Sequence, residues 1–340
     1  MLISETLNMA TICTRLMLSS KYVYSRQKIS NISSIRQLLF KCQTLQSLWA
    51  ASSTQHVVLF SSHSTPEQSL GHIKKQAAVG FKTGGDHYDA NRPNYTHESV
   101  DLIVSEIEST SKTTPQTGIK YHVLELGAGT GKLTEQLSKK LPENMKYLAT
   151  EPSENFLGVL KSKGLNVDAV LATADRIPLE DKSVSNVVCA QCFHWFAEKE
   201  NLESIHRVMA PGGKLIMIWN MKKFDHEWLV AFYEQRKKVV SKVEGSMAYL
   251  VNTMEWQRDI SVSDNFKLLW NKSLPGINFT GNLEAILANL TTISAYNALP
   301  VEQRNECIEE LRQVLINWPG LDLKNIEVPF TTLMYVYEAQ

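Results

Sequence analysis

Acidic residues are missing from the opening stretch of this 340-residue chain. None stands between Thr6 and Pro66, although the whole carries 35 acidic and 35 basic side chains. Over that stretch Arg15, Lys21, Arg26, Lys28, Arg36 and Lys41 are interspersed with hydroxyl pairs such as Ser19-Ser20 and Ser33-Ser34. A basic, hydroxyl-rich, acid-poor N-terminus has the composition of an organelle transit peptide, here read as mitochondrial, and residues 32–41 fit a basic amphipathic helix. A disordered tail, a later start at Met9 or Met17, and a cytoplasmic protein are the alternatives. Residues 1–76 are therefore set apart as an extension. Residues 77–340 read as one domain, with a ligand-binding core at about 120–220 and a helical cover with closing strands over 221–340.

Other absences narrow the field. No run reaches the roughly 18 apolar residues that a spanning helix needs. A formal net charge of zero argues against a nucleic-acid binder that works through a strongly positive surface. It favours a small-molecule partner and leaves the oligomeric state open. Cysteine is scarce, with five in all, and Cys189 and Cys192 form the only C-x-x-C. Positions three apart in a strand point to opposite faces, so these sulfurs are expected to diverge. A zinc site would need two more ligands. The pair reads as two core thiols, with no metal.

What is present is an alternation of short apolar runs with helical patterns. Strands are expected over 121–126, 146–150, 167–171, 184–190 and 214–219. Helices are expected over 101–108, 132–140 and 154–163, with the Ser- and Thr-rich 109–118 as a loop. Strand–helix alternation at this spacing implies an α/β, doubly wound, mostly parallel sheet covered on both faces. The remainder reads as mostly helical, clearest at 228–243 and 301–318. It closes with a β-branched and aromatic strand from Val328 to Tyr337.

Chemistry concentrates after the first strand, in Glu125-Leu-Gly127-Ala128-Gly129-Thr-Gly131-Lys132. Glycines there permit a tight turn and close approach of a ligand to backbone, ahead of a helix N-terminus. The dinucleotide fingerprint needs a third glycine where this chain has Lys132, so the pattern is G-x-G-x-G instead. Glu151, with Pro152 behind it, ends the second strand region and can accept from both hydroxyls of a ribose. Asp175, after the third strand and beside Ala174, can accept from an exocyclic adenine amine. Together they outline a nucleoside held across the strand ends where chain order reverses.

These segments resemble successive motifs of class I S-adenosylmethionine-dependent methyltransferases. Glu-Leu-Gly-Ala-Gly-Thr-Gly-Lys at 125–132, Thr-Glu-Pro-Ser at 150–153 and Ala-Thr-Ala-Asp-Arg-Ile-Pro-Leu at 172–179 carry the likeness. Gln-Cys-Phe-His-Trp-Phe at 191–196 and Arg-Val-Met-Ala-Pro-Gly-Gly at 207–213 extend it. The chain is most similar to the small-molecule, type 11 branch that includes trans-aconitate and ubiquinone-pathway methyltransferases. Upstream, Tyr88-Asp-Ala-Asn-Arg92-Pro-Asn-Tyr95 resembles that branch's cofactor-capping segment.

The resemblance implies a Rossmann-like methyltransferase fold of seven strands with an antiparallel last strand, and S-adenosylmethionine as cofactor. It places Gly127, Gly129 and Gly131 against the methionine portion, Glu151 on the ribose and Asp175 on adenine, with Ala174 beside it. Gln191 would lie near the methionine and methyl, and Tyr88 and Arg92 would close the pocket. Arg92 would pair with the carboxylate or pin its own segment to the sheet. His194 is the candidate base if the acceptor is a hydroxyl or protonated amine; otherwise it walls the pocket with Trp195 and Phe196. Trp195, Trp219, Asn220, Ser294 and Tyr296 are candidates to border the acceptor, with core packing as the alternative. An NAD-dependent oxidoreductase and a non-catalytic cofactor-binding assembly factor remain the competing readings.

Overall fold

The computed structural model describes residues 84–114, 117–240 and 256–340. The N-terminal extension, with its amphipathic stretch at 32–41, lies outside the described residues. In chain order come α1 (Gly85–Asn91), α2 (His97–Thr113), β1 (Tyr121–Leu126), α3 (Lys132–Ser138), β2 (Tyr147–Glu151), α4 (Glu154–Ser162) and β3 (Asp168–Leu171). Next are β4 (Val184–Ala190), a 3-10 turn (Phe193–Trp195), α5 (Lys199–Val208), β5 (Met209–Lys222), α6 (Glu227–Val240) and α7 (Trp256–Ser261). The cover follows as β6 (Phe266–Pro275), β7 (Phe279–Gly281), α8 (Leu283–Thr291), α9 (Ser294–Asn297), α10 (Val301–Ile316), β8 (Ile326–Val328) and β9 (Phe330–Ala339).

The main sheet has seven strands in the order β3-β2-β1-β4-β5-β9-β6. Its first five strands are mutually parallel, and β9 runs antiparallel to both β5 and β6. Chain order reverses between β1 and β4, which opens a crevice at their carboxyl ends. Each central strand is apolar on both faces because both are covered. Along β5, Leu215, Met217 and Trp219 pack with Leu202 and Ile205 of α5 and Trp256 of α7. Ile216 and Ile218 point the other way, against Val100, Ile103 and Ile107 of α2. A separate apolar cluster, built from α6, α8, α10 and the β7–β8 ribbon, forms the cover.

Two expectations need correction. Helix α2 runs on through 109–113, because the hydroxyls of Ser109, Thr110, Ser111 and Thr113 donate back to carbonyls three and four residues earlier instead of breaking the helix. Lys214 anchors the same turn, with its Nζ 2.5 Å from Glu106 Oε2. The region beyond 222 is less helical than expected, since β6 joins the sheet as its edge strand. Its pattern is faint because most of its residues are exposed, as an edge allows, and Lys267, Lys272 and a terminal proline suit that position. The closing strand is antiparallel as expected, and it lies between β5 and β6.

Candidate active site

A cavity of about 1120 Å³ opens over the β1–β4 crevice. Its wall includes Tyr88, Arg92, Glu125, Gly127, Ala128, Gly129, Glu151, Pro152, Ala174, Asp175, Gln191 and Trp195. Residues from five separate stretches of sequence thus meet around one space.

The loop after β1 is built by backbone demand. Gly127 and Gly129 have φ of 61° and 62°, the left-handed region that side chains resist. A Cβ on Gly129 would meet nothing nearer than Phe156 at 3.9 Å, so it would stand in the cavity itself. A Cβ on Gly127 would press on Cys192 at 3.0 Å. The Gly129 N–H donates to Glu151 Oε2 at 2.8 Å, and the Ser153 N–H to Glu151 Oε1 at 2.9 Å. A carboxylate offers about four lone-pair sites, so each oxygen keeps capacity for a ligand hydroxyl.

Two acids share this end of the cavity. Glu125 is fully buried, and its Oε2 accepts from Thr134 at 2.6 Å and Tyr147 at 2.5 Å, while its Oε1 is buried without a partner. Burial lifts its carboxyl to about 7, with those two hydrogen bonds opposing the rise and Glu151 adding to it. Burial likewise raises Glu151, against the pull of the Ser153 and Gly129 amides. Among the described residues neither acid forms an ion pair with lysine or arginine. These two acids therefore have no lysine or arginine as a direct counter-ion.

The N-terminal segment folds down over the loop. Asn155 accepts from the Gly85 N–H at 2.9 Å, holding the start of α1. Asp89 accepts from Thr130 at 2.7 Å and from Lys163 at 3.0 Å, and its own carbonyl accepts from Lys132 at 2.6 Å. Burial would raise the Asp89 carboxyl, but the Thr130 and Lys163 bonds and the charges of Lys132 and Lys163 hold it below its ordinary value. Tyr88 is thereby set 5.1 Å from the Phe156 ring, with the Arg92 guanidinium 5.0 Å over Tyr88. Arg92 also donates to the Thr292 carbonyl at 3.4 Å, tying cap to cover.

Gln191 leaves β4 with φ of 62°, and its N–H is held by the Ile218 carbonyl at 2.9 Å. That turn brings Cys192 back over β1, where its thiol donates to the Leu126 carbonyl at 2.9 Å. The two cysteines therefore do not diverge as a straight strand would make them. Cys192 lines the cavity, and burial, followed by neighbouring Cys189, pushes its thiol well above the ordinary range. It is a protonated wall residue, not a nucleophile.

Five expected site residues stand outside the cavity wall. Gly131 has φ of 83°, and a Cβ there would lie 2.4 Å from Leu160 Cδ1, so it permits α3 to close on α4 and does not face a ligand. Trp219 is completely buried and stacks on Trp256 at 4.5 Å. Its Nε1 donates to His194 Nδ1 at 3.3 Å, and burial pulls that imidazole down to about 3. His194 is thus a neutral acceptor behind Trp195. Ser294 and Tyr296 are buried in the cover, Tyr296 donating to the Arg304 carbonyl at 3.3 Å. The wall also includes Phe196, as expected, and Phe156 and Phe330, which sequence reasoning missed. Phe156 and Phe330 are apolar residues at element starts, where the sequence holds no sign distinguishing wall from core. Asn220 does line the cavity, braced by Thr332 at 2.9 Å and by the Asn94 carbonyl at 3.1 Å.

A methyltransferase-domain family model matches residues 123–213. An uncharacterized methyltransferase of Schizosaccharomyces pombe is 32% identical over 260 residues, covering 76% of this chain and 96% of its own length. The ubiquinone/menaquinone biosynthesis C-methyltransferase of Erwinia tasmaniensis is 31% identical over 152 residues, 40% of this chain and 60% of its own. Among solved structures, one from Anaeromyxobacter dehalogenans described as a type II methyltransferase superposes with a TM-score of 0.50 at 19% identity, over 72% of this chain and 97% of that one. With G-x-G-x-G in place of the dinucleotide fingerprint, the oxidoreductase reading falls away. This chain is an enzyme of the class I methyltransferase family.

Proposed function

We propose that the protein transfers the methyl group of S-adenosylmethionine to a small-molecule acceptor held in the same cavity. The observation that carries this reading is the pair of buried acids without a lysine or arginine counter-ion, Glu125 with one unpartnered oxygen and Glu151, beside a glycine loop that leaves open space at Gly129. Such a site favours a ligand bearing positive charge and ribose hydroxyls, whereas a dinucleotide would add negative phosphates. Ligand pockets run to roughly 300–1,000 Å³ for one drug-sized molecule, so a cavity of about 1120 Å³ has room for cofactor and acceptor together.

Glu151 would hold the ribose with its spare lone pairs, and Asp175 with Ala174 would border the adenine. Glu125 would give its unpartnered oxygen to the methionine ammonium, and Arg92 with Tyr88 would close over the carboxylate. Bound there, the cofactor supplies a methyl already activated on a sulfonium. The chain's task is then to hold the acceptor in line and exclude water, a positioning effect of about 7–11 kcal/mol. Gln191, Trp195 and Asn220 border the space for that acceptor. A base is not assigned to His194, whose ring lies behind the wall.

Titration calorimetry with S-adenosylhomocysteine and NAD tests the cofactor, with heat expected only from the first. Absence of heat with S-adenosylhomocysteine would sink the reading. Methyl-labelled cofactor and a metabolite extract would then identify the acceptor. The N-terminal composition supports a mitochondrial destination, tested by import and cleavage of the labelled full chain in isolated mitochondria.

A further inference from the structure

We propose that Lys222 and Arg236, with Arg92 beside them, form an oxyanion-binding subsite that selects an acceptor carrying a carboxylate or phosphate. This rests on the reading of the cavity as a joint cofactor and acceptor site. Lys222 ends β5 two residues beyond Asn220. Its Nζ lies 5.1 Å from the Tyr233 ring and 5.4 Å from the ring of Phe330, which lines the cavity. Arg236, one turn after Tyr233 on α6, sets its guanidinium 4.8 Å from that same ring.

Elsewhere the fold treats half-buried lysines differently. Lys214 and Lys163, whose side chains are 12% and 16% exposed, each face a carboxylate. Among the described residues no carboxylate forms an ion pair with Lys222, Arg236 or Arg92, and the Nε atoms of both arginines are buried without a hydrogen-bond partner. The aromatic faces, and the Tyr233 hydroxyl beside Lys222, compensate a cation only in part, and a buried charge without a counter-ion is costly.

The three charges converge. Burial lowers the Lys222 ammonium, with Arg236 and Arg92 adding to the drop and Tyr233 opposing it. Burial alone would raise the Tyr233 phenol, yet Lys222, Arg236 and Arg92 bring it below its ordinary value. Positive potential is thus focused on one point beside the cavity, opposite in sign to the Glu125–Glu151 end. One cofactor carboxylate on Arg92 leaves Lys222 and Arg236 uncompensated. An anionic group on the acceptor would complete them and fix which way the acceptor enters.

The test uses the full chain saturated with S-adenosylhomocysteine and three probes: phenylacetate, phenyl phosphate and the neutral phenylacetamide. At least one anion is expected to bind about 10- to 100-fold tighter than the amide, the value of a hydrogen bond to a charged group. Lys222→Met should erase that preference and raise the melting temperature of the unliganded protein, because an unpaired cation is removed. Arg236→Gln supplies the same binding readout if the first variant fails to fold. The carboxylate and phosphate arms tell the two sources apart. Anions that bind no better than the amide, or a preference that survives both substitutions, overturn the subsite. Loss of S-adenosylhomocysteine binding by the unsubstituted protein would instead strike the cofactor reading beneath it.

Discussion

Gly129 and Gly131 stand two residues apart in one loop, both left-handed, and alanine at each is expected to fail for a different reason. Forcing an alanine into that backbone region costs about 1–2 kcal/mol at either site. At Gly131 the new Cβ also lies 2.4 Å from Leu160 Cδ1. Leu160 is only 1% exposed and packed among Ala128, Ala149 and Leu157, so its methyl has little room to move aside. Overpacking of this kind adds about 1–3 kcal/mol, for a total of about 2–5 kcal/mol. At roughly 2–4 °C per kcal/mol for a domain of this size, Gly131→Ala should melt about 4–20 °C below the parent. S-adenosylhomocysteine affinity of its folded fraction should be near normal. Gly129→Ala should show only the backbone cost, but its methyl would occupy ligand space and weaken S-adenosylhomocysteine by about 10- to 100-fold. Thermal melts and calorimetry on both variants separate the two effects, and Leu160→Ala should relieve most of the extra cost at Gly131. Equal melting temperatures, or no relief from the shortened Leu160, would refute the assignment of Gly131 to packing.

The buried titrating groups give opposite pH signatures. The Glu125 carboxyl sits at about 7 in the fold against 4.5 ordinarily, so stability present at acid pH is lost as pH rises through 7, about 3 kcal/mol. Glu125→Gln should flatten that slope in melts between pH 5 and 8; an unchanged slope counts against it. His194 is displaced the other way, to about 3 from 6.5, so stability falls as pH drops below 6.5, by about 2 kcal/mol between pH 7 and 5. His194→Gln should remove this acid-side loss and leave turnover largely intact; a large fall in kcat would restore the histidine as a base. Trp219→Ala should cost about 3–5 kcal/mol as a core truncation, with KM for any acceptor unchanged in the folded fraction. Glu151→Ala leaves the Gly129 and Ser153 amides without their acceptor, so both melting temperature and S-adenosylhomocysteine affinity should fall. Normal affinity would remove Glu151 from the ribose site.

What could be read from the sequence was what backbone constraint writes locally. Glycines at 127 and 129, and acids placed one and two strands on, are demands of turn and register, and they line one cavity. Direction was harder to read. Gly131 answers to Leu160, far along the chain, and no spacing rule reveals that contact. Trp219 looked like a pocket residue because it ends a strand, yet period-two alternation sends it with Leu215 and Met217 into the core. A strand apolar on both faces has no polarity contrast from which to set that phase. His194 and Trp195 are adjacent aromatics, and only the 3-10 turn decides that one lines the cavity and the other supports Trp219. Edge strand β6 left little trace for the same reason it is tolerated, since exposed positions accept almost any residue.

Because β9 is inserted between β5 and β6, assembly cannot follow synthesis in simple order. Among the described residues strand β6 finds its sheet partner only in β9, so it must wait until residues 330–339 have left the ribosome. Meanwhile the apolar run of β5 presents an open hydrogen-bonding border, the kind that recruits foreign strands. A product cut short by a single strand at its C-terminal side should therefore clump and not persist as a weakened enzyme, and Phe330 would be the last panel fitted to the chamber.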